Sequence, residues 1–318
     1  MTAAATPSSR EVYRDTAVRL LPDDERLVCL DSDTGLFNGI DFGTAADRYI
    51  NVGIAEHTLM GVAAGLAREG RVPLVNTMAA FAASRALEAV KVDIALNGLP
   101  VRIAATHSGV SAGHLGPTHH ALEDLAVMRT LPNMTVVVPA DAATTETLFR
   151  QALEVPGPVY LRLGRNATPD LPPGPPVRLG KAQWLRRGSD ITLAACGPLP
   201  VLAALAAADL LEQDGVTASV LHVHTVKPLD TEALAEAANT SLAVITVEEH
   251  WGAGGFGSAV TEALCDIAPV RVHRVAMPDA FVSVAGGQQY LARRSGITPQ
   301  AIAEKAAAVL GSTRRSRP

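Results

Sequence analysis

"RNATPDLPPGPPVRLG", residues 165–180, decides how the chain is organised, because five of its sixteen positions are proline. Proline has no backbone N–H and a fixed φ, so a run this dense forms neither a helix interior nor a central strand. It reads as a linker: Arg165 closes what precedes it, and residues 166–180 join two halves. Upstream, β-rich runs at residues 26–30, 72–76, 101–105, 135–138 and 159–161 alternate with helix-period segments at 55–68, 81–96, 122–129 and 142–153. Such alternation predicts crossover helices on a mainly parallel sheet. Downstream the grammar repeats, with strand patterns at 191–195, 218–222, 243–247 and 270–275 separated by alanine-rich helices. The expected fold class is therefore α/β, in two domains at residues 10–165 and 181–310, with a flexible N-terminus at 1–9 and a flexible tail at 311–318.

Composition narrows the function. With 318 residues, 48% hydrophobic and 19% charged, the chain has the balance of a well-packed protein of two ordinary domains. A net charge of −5, scattered basic residues and 4% aromatics lack the clustered Lys/Arg and stacking rings of a nucleic-acid binder. The N-terminus lacks a signal-peptide pattern, and no apolar run reaches the roughly 18 residues of a membrane span, so a cytoplasmic protein without membrane contact is expected. Cys29, Cys196 and Cys265 are odd in number, lack CxxC spacing and read as reduced core residues.

Three stretches carry candidate chemistry. In "NVGIAEHTLMGVAAGLAREG", residues 51–70, a strand ends near Asn51, Gly53 permits a turn, and Glu56 falls in the first turn of a helix. A carboxylate there either complements the helix dipole or, in its small apolar surround, handles a proton. "THSGVSAGHLGPTHH", residues 106–120, gathers His107, His114, His119 and His120 after a predicted strand, at the carboxyl edge where open α/β sheets bind ligands. Its histidines are solvent-facing, metal-ligating or donors to an oxygen-rich substrate; the absence of Cys or HExxH spacing disfavours metal. "HWGAGGFGS", residues 250–258, contains a formal GxGxxG, but late in the chain, where tight packing competes with dinucleotide binding as its explanation.

Taken in order, "NVGIAEH", "FAASRALEAVKVDIALNGLPVRIAATHSGV", "GPTHHALEDLAVMRTLPNMTVVVPAD", "VYLRLGRN" and "VITVEEHWGAGGFGSAV" resemble the pyrimidine-binding and C-terminal domains of transketolase across nearly the whole chain. The resemblance implies a β-type subunit of a split, thiamine-diphosphate-dependent enzyme. Glu56 would be the carboxyl that hydrogen-bonds N1′ of the cofactor's aminopyrimidine and so activates its thiazolium carbon. Phe81 would pack on the pyrimidine, Asp33 would lie near cofactor and subunit interface, and Met78 and Ser84 fall at positions usually aromatic in that pocket. His107 and His119 would bind substrate and Arg165 would clamp its phosphate. The family's GDG motif followed by Asn does not occur in the chain. An α-type partner is therefore expected to supply the diphosphate site and the Mg²⁺ (or Ca²⁺) ligands, in an α2β2 assembly that is active only with both chains.

Departures bear on the substrate. "GHLGPTH" replaces the family's usual "GEDGPTH", so Leu115 stands where an aspartate contacts a donor hydroxyl, His114 stands in place of its acidic neighbour, and Phe37 falls near a phosphate-binding serine. A lost polar contact changes selectivity by orders of magnitude. The expected reaction is transfer of a two-carbon ketol unit from a ketose-type donor to an aldehyde, with modified sugars and other ketones of specialised metabolism among the candidate donors. A 2-oxo-acid dehydrogenase E1 β-type subunit and a non-catalytic partner subunit are the alternatives.

Overall fold

The computed structural model describes residues 6–315. Its first half contains β1 (Leu27–Asp31), β2 (Tyr49–Asn51), β3 (Val72–Met78), β4 (Arg102–Thr106), β5 (Thr135–Val137) and β6 (Val159–Arg162). The second contains β7 (Gln183–Arg186), β8 (Ile191–Cys196), β9 (Ala218–His222), β10 (Thr225–Lys227), β11 (Val244–Trp251) and β12 (Val272–Met277). One sheet has seven strands in the order β10-β5-β6-β4-β3-β1-β2, the other five in the order β12-β11-β8-β9-β7. Every pairing is parallel except those of β10 with β5 and of β7 with β9. Two α/β units with mainly parallel sheets are what the alternating pattern predicts. β4 and β8 are buried along their whole length, which is why, Arg102, Thr106 and Thr192 apart, they read as apolar runs.

β10 crosses the expected domain boundary. It belongs by sequence to the second half yet adds antiparallel to the edge of the first sheet. A buried ion pair ties the halves further: Arg162 Nε donates to Asp124 at 2.7 Å, Tyr160 donates to the same carboxylate at 2.9 Å, and Arg162 also donates to the Glu249 carbonyl at 3.0 Å.

Four expectations need correction. The segment 81–96 is not one helix: Ala79–Ala82 and Leu87–Ala89 are separated by a turn, and a π-helical stretch, Val90–Ala95, follows. Ser8 and Ser9, expected in a flexible N-terminus, are buried, because Ser8 and Glu11 form a reciprocal cap on the helix Ser9–Leu20; residues 1–5 lie outside the described residues. The tail instead continues the helix Pro299–Arg315, and residues 316–318 lie outside the described residues. Cys265 is exposed, whereas Cys29 and Cys196 are buried as expected. No helix among the described residues is long and apolar enough to cross a membrane.

The register of the first sheet sets the site. Met78 pairs with Thr106 at the carboxyl ends of β3 and β4, and Asp31 pairs with both Asn51 and Asn76. The segments that follow these strands therefore open on one edge.

Candidate active site

Gly53, at φ 73°, turns the chain after β2 so that Glu56 becomes the first residue of the helix Glu56–Arg68. Its side chain is 2% exposed, while its ion-pair partner Arg85 is 51% exposed. Arg85 Nη1 donates to both Glu56 oxygens, at 2.9 and 3.1 Å. The guanidinium lies 4.4 Å from the Phe81 ring centroid, a cation–π contact, and the His119 ring packs T-shaped with Phe81 at a centroid separation of 5.3 Å. Met78 is half-buried at the end of β3. Ser84 is exposed, and its hydroxyl donates back to the Ala80 carbonyl. Glu56, Arg85, Phe81 and His119 thus form one continuous group. Beside it a cavity of about 120 Å³ opens between Phe81, Ser84 and His120 on one side and Trp251 and Phe281 on the other. Neither ring nitrogen of buried His120 has a hydrogen-bond partner in the structure, and burial pushes its pKa down.

A second group is cationic. His107, at φ 59°, follows β4 and is buried. Arg10 Nη1 lies 3.2 Å from its Nε2, and Thr106 Oγ1 lies 2.9 Å from its Nδ1. Arginine only donates, so Nε2 accepts, Nδ1 carries the proton and donates to Thr106, and Thr106 donates to the Thr77 carbonyl at 3.1 Å. Burial, then the charges of Arg10, Arg165, His114 and His119, lower the His107 pKa to about 3, leaving it neutral at pH 7. Arg10 in turn has its own pKa lowered by burial and by Arg165, and its Nε is buried without a partner. Arg10 against a neutral imidazole, with the charge of Arg165 acting on both, favours an anion there.

The loop carrying these groups is locked to the second half. Glu249 accepts from Val110 N at 2.6 Å and from Gln288 Nε2 at 2.7 Å, and Gly109, at φ 60°, leaves room for it: a Cβ there would stand 2.4 Å from the carboxylate. His114 and Leu115 form a short exposed 3₁₀ turn, with Leu115 43% exposed. Asp33 stands apart, exposed at φ 59° after β1 and bonded by Asn51 at 3.2 Å. No three His, Cys, Asp or Glu side chains among the described residues converge as a metal site. A larger cavity, about 610 Å³, lies between the linker and the helices Pro198–Gln213 and Gln288–Arg294, and none of the expected site residues lines it.

The glycine-rich stretch is already filled. Glu248 accepts from Phe256 N at 2.6 Å and Gly257 N at 2.8 Å at the start of the helix Phe256–Ile267. Its carboxylate thus occupies the amides that a pyrophosphate would use. A Cβ on Gly257 would stand 2.5 Å from Thr246 Oγ1, so this glycine serves helix-on-sheet packing.

Sequence reading misses Arg10 and Arg85. Neither has a local signature: Arg10 joins the site because its backbone N–H bonds the Gly164 carbonyl at 3.3 Å, next to Arg165, and Arg85 because the predicted helix breaks around it.

Comparison with known proteins identifies the family. Residues 5–170 match the transketolase pyrimidine binding domain and residues 180–302 the transketolase C-terminal domain. The chain is 38% identical over 308 residues to a 6-deoxy-6-sulfo-D-fructose transketolase subunit of Clostridium sp. (strain MSTE9), covering 93% of this chain and 92% of that one. It is 38% identical over 301 residues to an apulose-4-phosphate transketolase subunit of Phocaeicola vulgatus, covering 93% and 96% of the two chains. A split gene transketolase solved as an inactive β4 tetramer superposes with a TM-score of 0.86 at 40% identity, over 96% of this chain and 99% of that one. The chain belongs to the transketolase family, with the two-domain extent of its split, thiamine-diphosphate-dependent transferase subunits.

Proposed function

We propose that the chain is a β-type subunit that moves a two-carbon ketol unit from a ketose ending in an anionic group to an aldehyde. One observation carries this reading: His107 lies against Arg10 and within the charge field of Arg165 and His119, while His119 also touches the Phe81, Arg85 and Glu56 group. A cationic group suited to an anion and a buried carboxyl are thus both linked to His119. The two relatives' names, a sulfosugar and a sugar phosphate transketolase subunit, point to a donor with an anionic terminus.

The residues fit thiamine diphosphate at its pyrimidine end: a planar nitrogenous cation already lies between the Glu56 carboxylate and the Phe81 face. When bound, the cofactor supplies the carbon nucleophile that carries the two-carbon unit. Glu56 then holds a proton at the pyrimidine N1′, Phe81 and Met78 pack on the ring with Ser84 at its margin, and Asp33 faces the cofactor end shared with the partner. Arg10 and Arg165 hold the anionic terminus, His107 and His119 orient the donor's oxygens, and the His114–Leu115 turn sets which donor hydroxyl is accepted. An α-type chain supplies the diphosphate grip and the Mg²⁺ (or Ca²⁺) ligands, in an α2β2 assembly.

The test is co-expression with a chain carrying GDG followed by Asn, then product analysis with sugar phosphate and sugar sulfonate donors. Two-carbon transfer without CO₂ is expected. Release of CO₂ from a pyruvate-like donor would instead establish the E1 β-type reading, and full activity after Glu56→Ala would establish a non-catalytic subunit.

A further inference from the structure

We infer that Arg85 holds the aminopyrimidine's place in the chain without cofactor, and that its guanidinium must leave for the ring to seat. This rests on the assignment of Glu56 and Phe81 to the pyrimidine. A pyrimidine at that position needs a hydrogen bond to the Glu56 carboxylate and a face against Phe81. Arg85 makes both: it donates to the two Glu56 oxygens at 2.9 and 3.1 Å and lies 4.4 Å from the Phe81 centroid. Among the described residues, Arg85 is the one side chain that hydrogen-bonds Glu56. Two planar nitrogen groups cannot share these contacts, so cofactor and guanidinium exclude each other.

Burial shows which partner is fixed and which is free to move. The Glu56 side chain is 2% exposed on a regular helix, whereas Arg85 is 51% exposed and sits in the turn, residues 83–86, that interrupts the predicted helix. A half-exposed arginine swings into water with little burial lost, while a buried carboxylate left alone is strongly destabilising. Arg85 therefore keeps Glu56 partnered until cofactor takes over, and the exchange subtracts from cofactor affinity. The grip on the diphosphate end, supplied by the α-type chain, is what drives Arg85 out, so cofactor loading depends on assembly.

The experiment is titration of thiamine diphosphate with Mg²⁺ into the assembled complex, followed by protein fluorescence, for wild type and Arg85→Met, with thermal melts of each free chain. Arg85→Met is expected to lower Kd about tenfold while lowering the melting temperature of the free chain, because Glu56 loses its partner. A purely structural arginine would weaken both; an unchanged or raised Kd overturns the inference. The wild-type complex gives a second readout that no folding defect can confound. Modification of Arg85 by an arginine-specific dicarbonyl, read by mass spectrometry, should rise when cofactor is added, and an unchanged or reduced yield overturns the inference equally. If the wild-type complex binds no thiamine diphosphate, the underlying assignment of function fails; if it binds but Arg85 neither competes nor becomes reactive, only the displacement of Arg85 does.

Discussion

At the residue scale, the proposed anion grip is the sharpest feature. Arg10 reaches His107 from the first turn of the helix Ser9–Leu20, and its unpartnered Nε leaves donor capacity for a ligand. A charge-assisted hydrogen bond contributes about 1.5–3 kcal/mol, so Arg10→Ala is expected to raise KM for a phosphate- or sulfonate-terminated donor by roughly ten- to a hundredfold. KM for an uncharged donor should stay unchanged, and an equal loss for charged and uncharged donors would rule out the grip. Leu115 makes a complementary case. It is 43% exposed on a short turn, so Leu115→Asp should leave the melting temperature unchanged. Steady-state kinetics should show kcat/KM rising selectively for donors bearing the hydroxyl that an aspartate at this position would accept; a uniform change across donors would remove the turn from substrate choice.

At the scale of elements, two helix glycines should respond in opposite directions. Gly257 begins against β11: a Cβ would meet Thr246 Oγ1 at 2.5 Å, Glu248 Oε1 at 2.7 Å and Arg274 Cδ at 2.8 Å. Gly257→Ala should destabilise the free chain by about 1–3 kcal/mol. Gly61, inside the helix Glu56–Arg68, has nothing within 4 Å of its Cβ position. Gly61→Ala should therefore stabilise by about 0.5–1 kcal/mol through helix propensity alone. Thermal melts of the two variants that shift in the same direction would refute the packing account. The contrast shows what a sequence discloses about elements. β4, β8 and β9 are legible to within a residue or two because fully buried strands are mainly apolar runs. The break within residues 81–96 is not legible, because alanine-rich periodicity favours a continuous helix there, and the contact of Arg85 with Glu56, 29 positions away, is hidden with it. The same holds for Arg10, 97 positions from His107. Glu56, Phe81, His107 and Arg165 can be singled out by motif, whereas their arginine neighbours depend on packing that no local pattern encodes.

For the whole molecule, buried histidines govern acid stability. His222 and His224 lie at the end of β9 and just before β10, the strand that stitches the second half to the first sheet. Burial lowers their pKa values to about 3 and about 4, and each Nε2 is buried without a partner. His107, His120, His250 and His273 are lowered in the same direction, mainly by burial. Below about pH 6.5 the unfolded chain binds protons that the folded chain refuses, so stability is fully present above that pH and falls as pH drops toward 3–4. Three glutamates act oppositely: half-buried Glu123 and buried Glu248 and Glu249 are raised by burial, Glu248 to about 7, so they favour the folded state as pH falls through the same window. Six histidines outweigh three glutamates, and the net slope is a loss of stability on acidification. Melting temperature should therefore drop between pH 7 and pH 5. His222→Asn with His224→Asn keeps a polar group near each Nδ1 while removing both titrations, and should flatten that slope. A melting temperature that holds level or rises down to pH 5, or a double variant as acid-sensitive as wild type, would show that the junction carrying β10 is not what acid attacks.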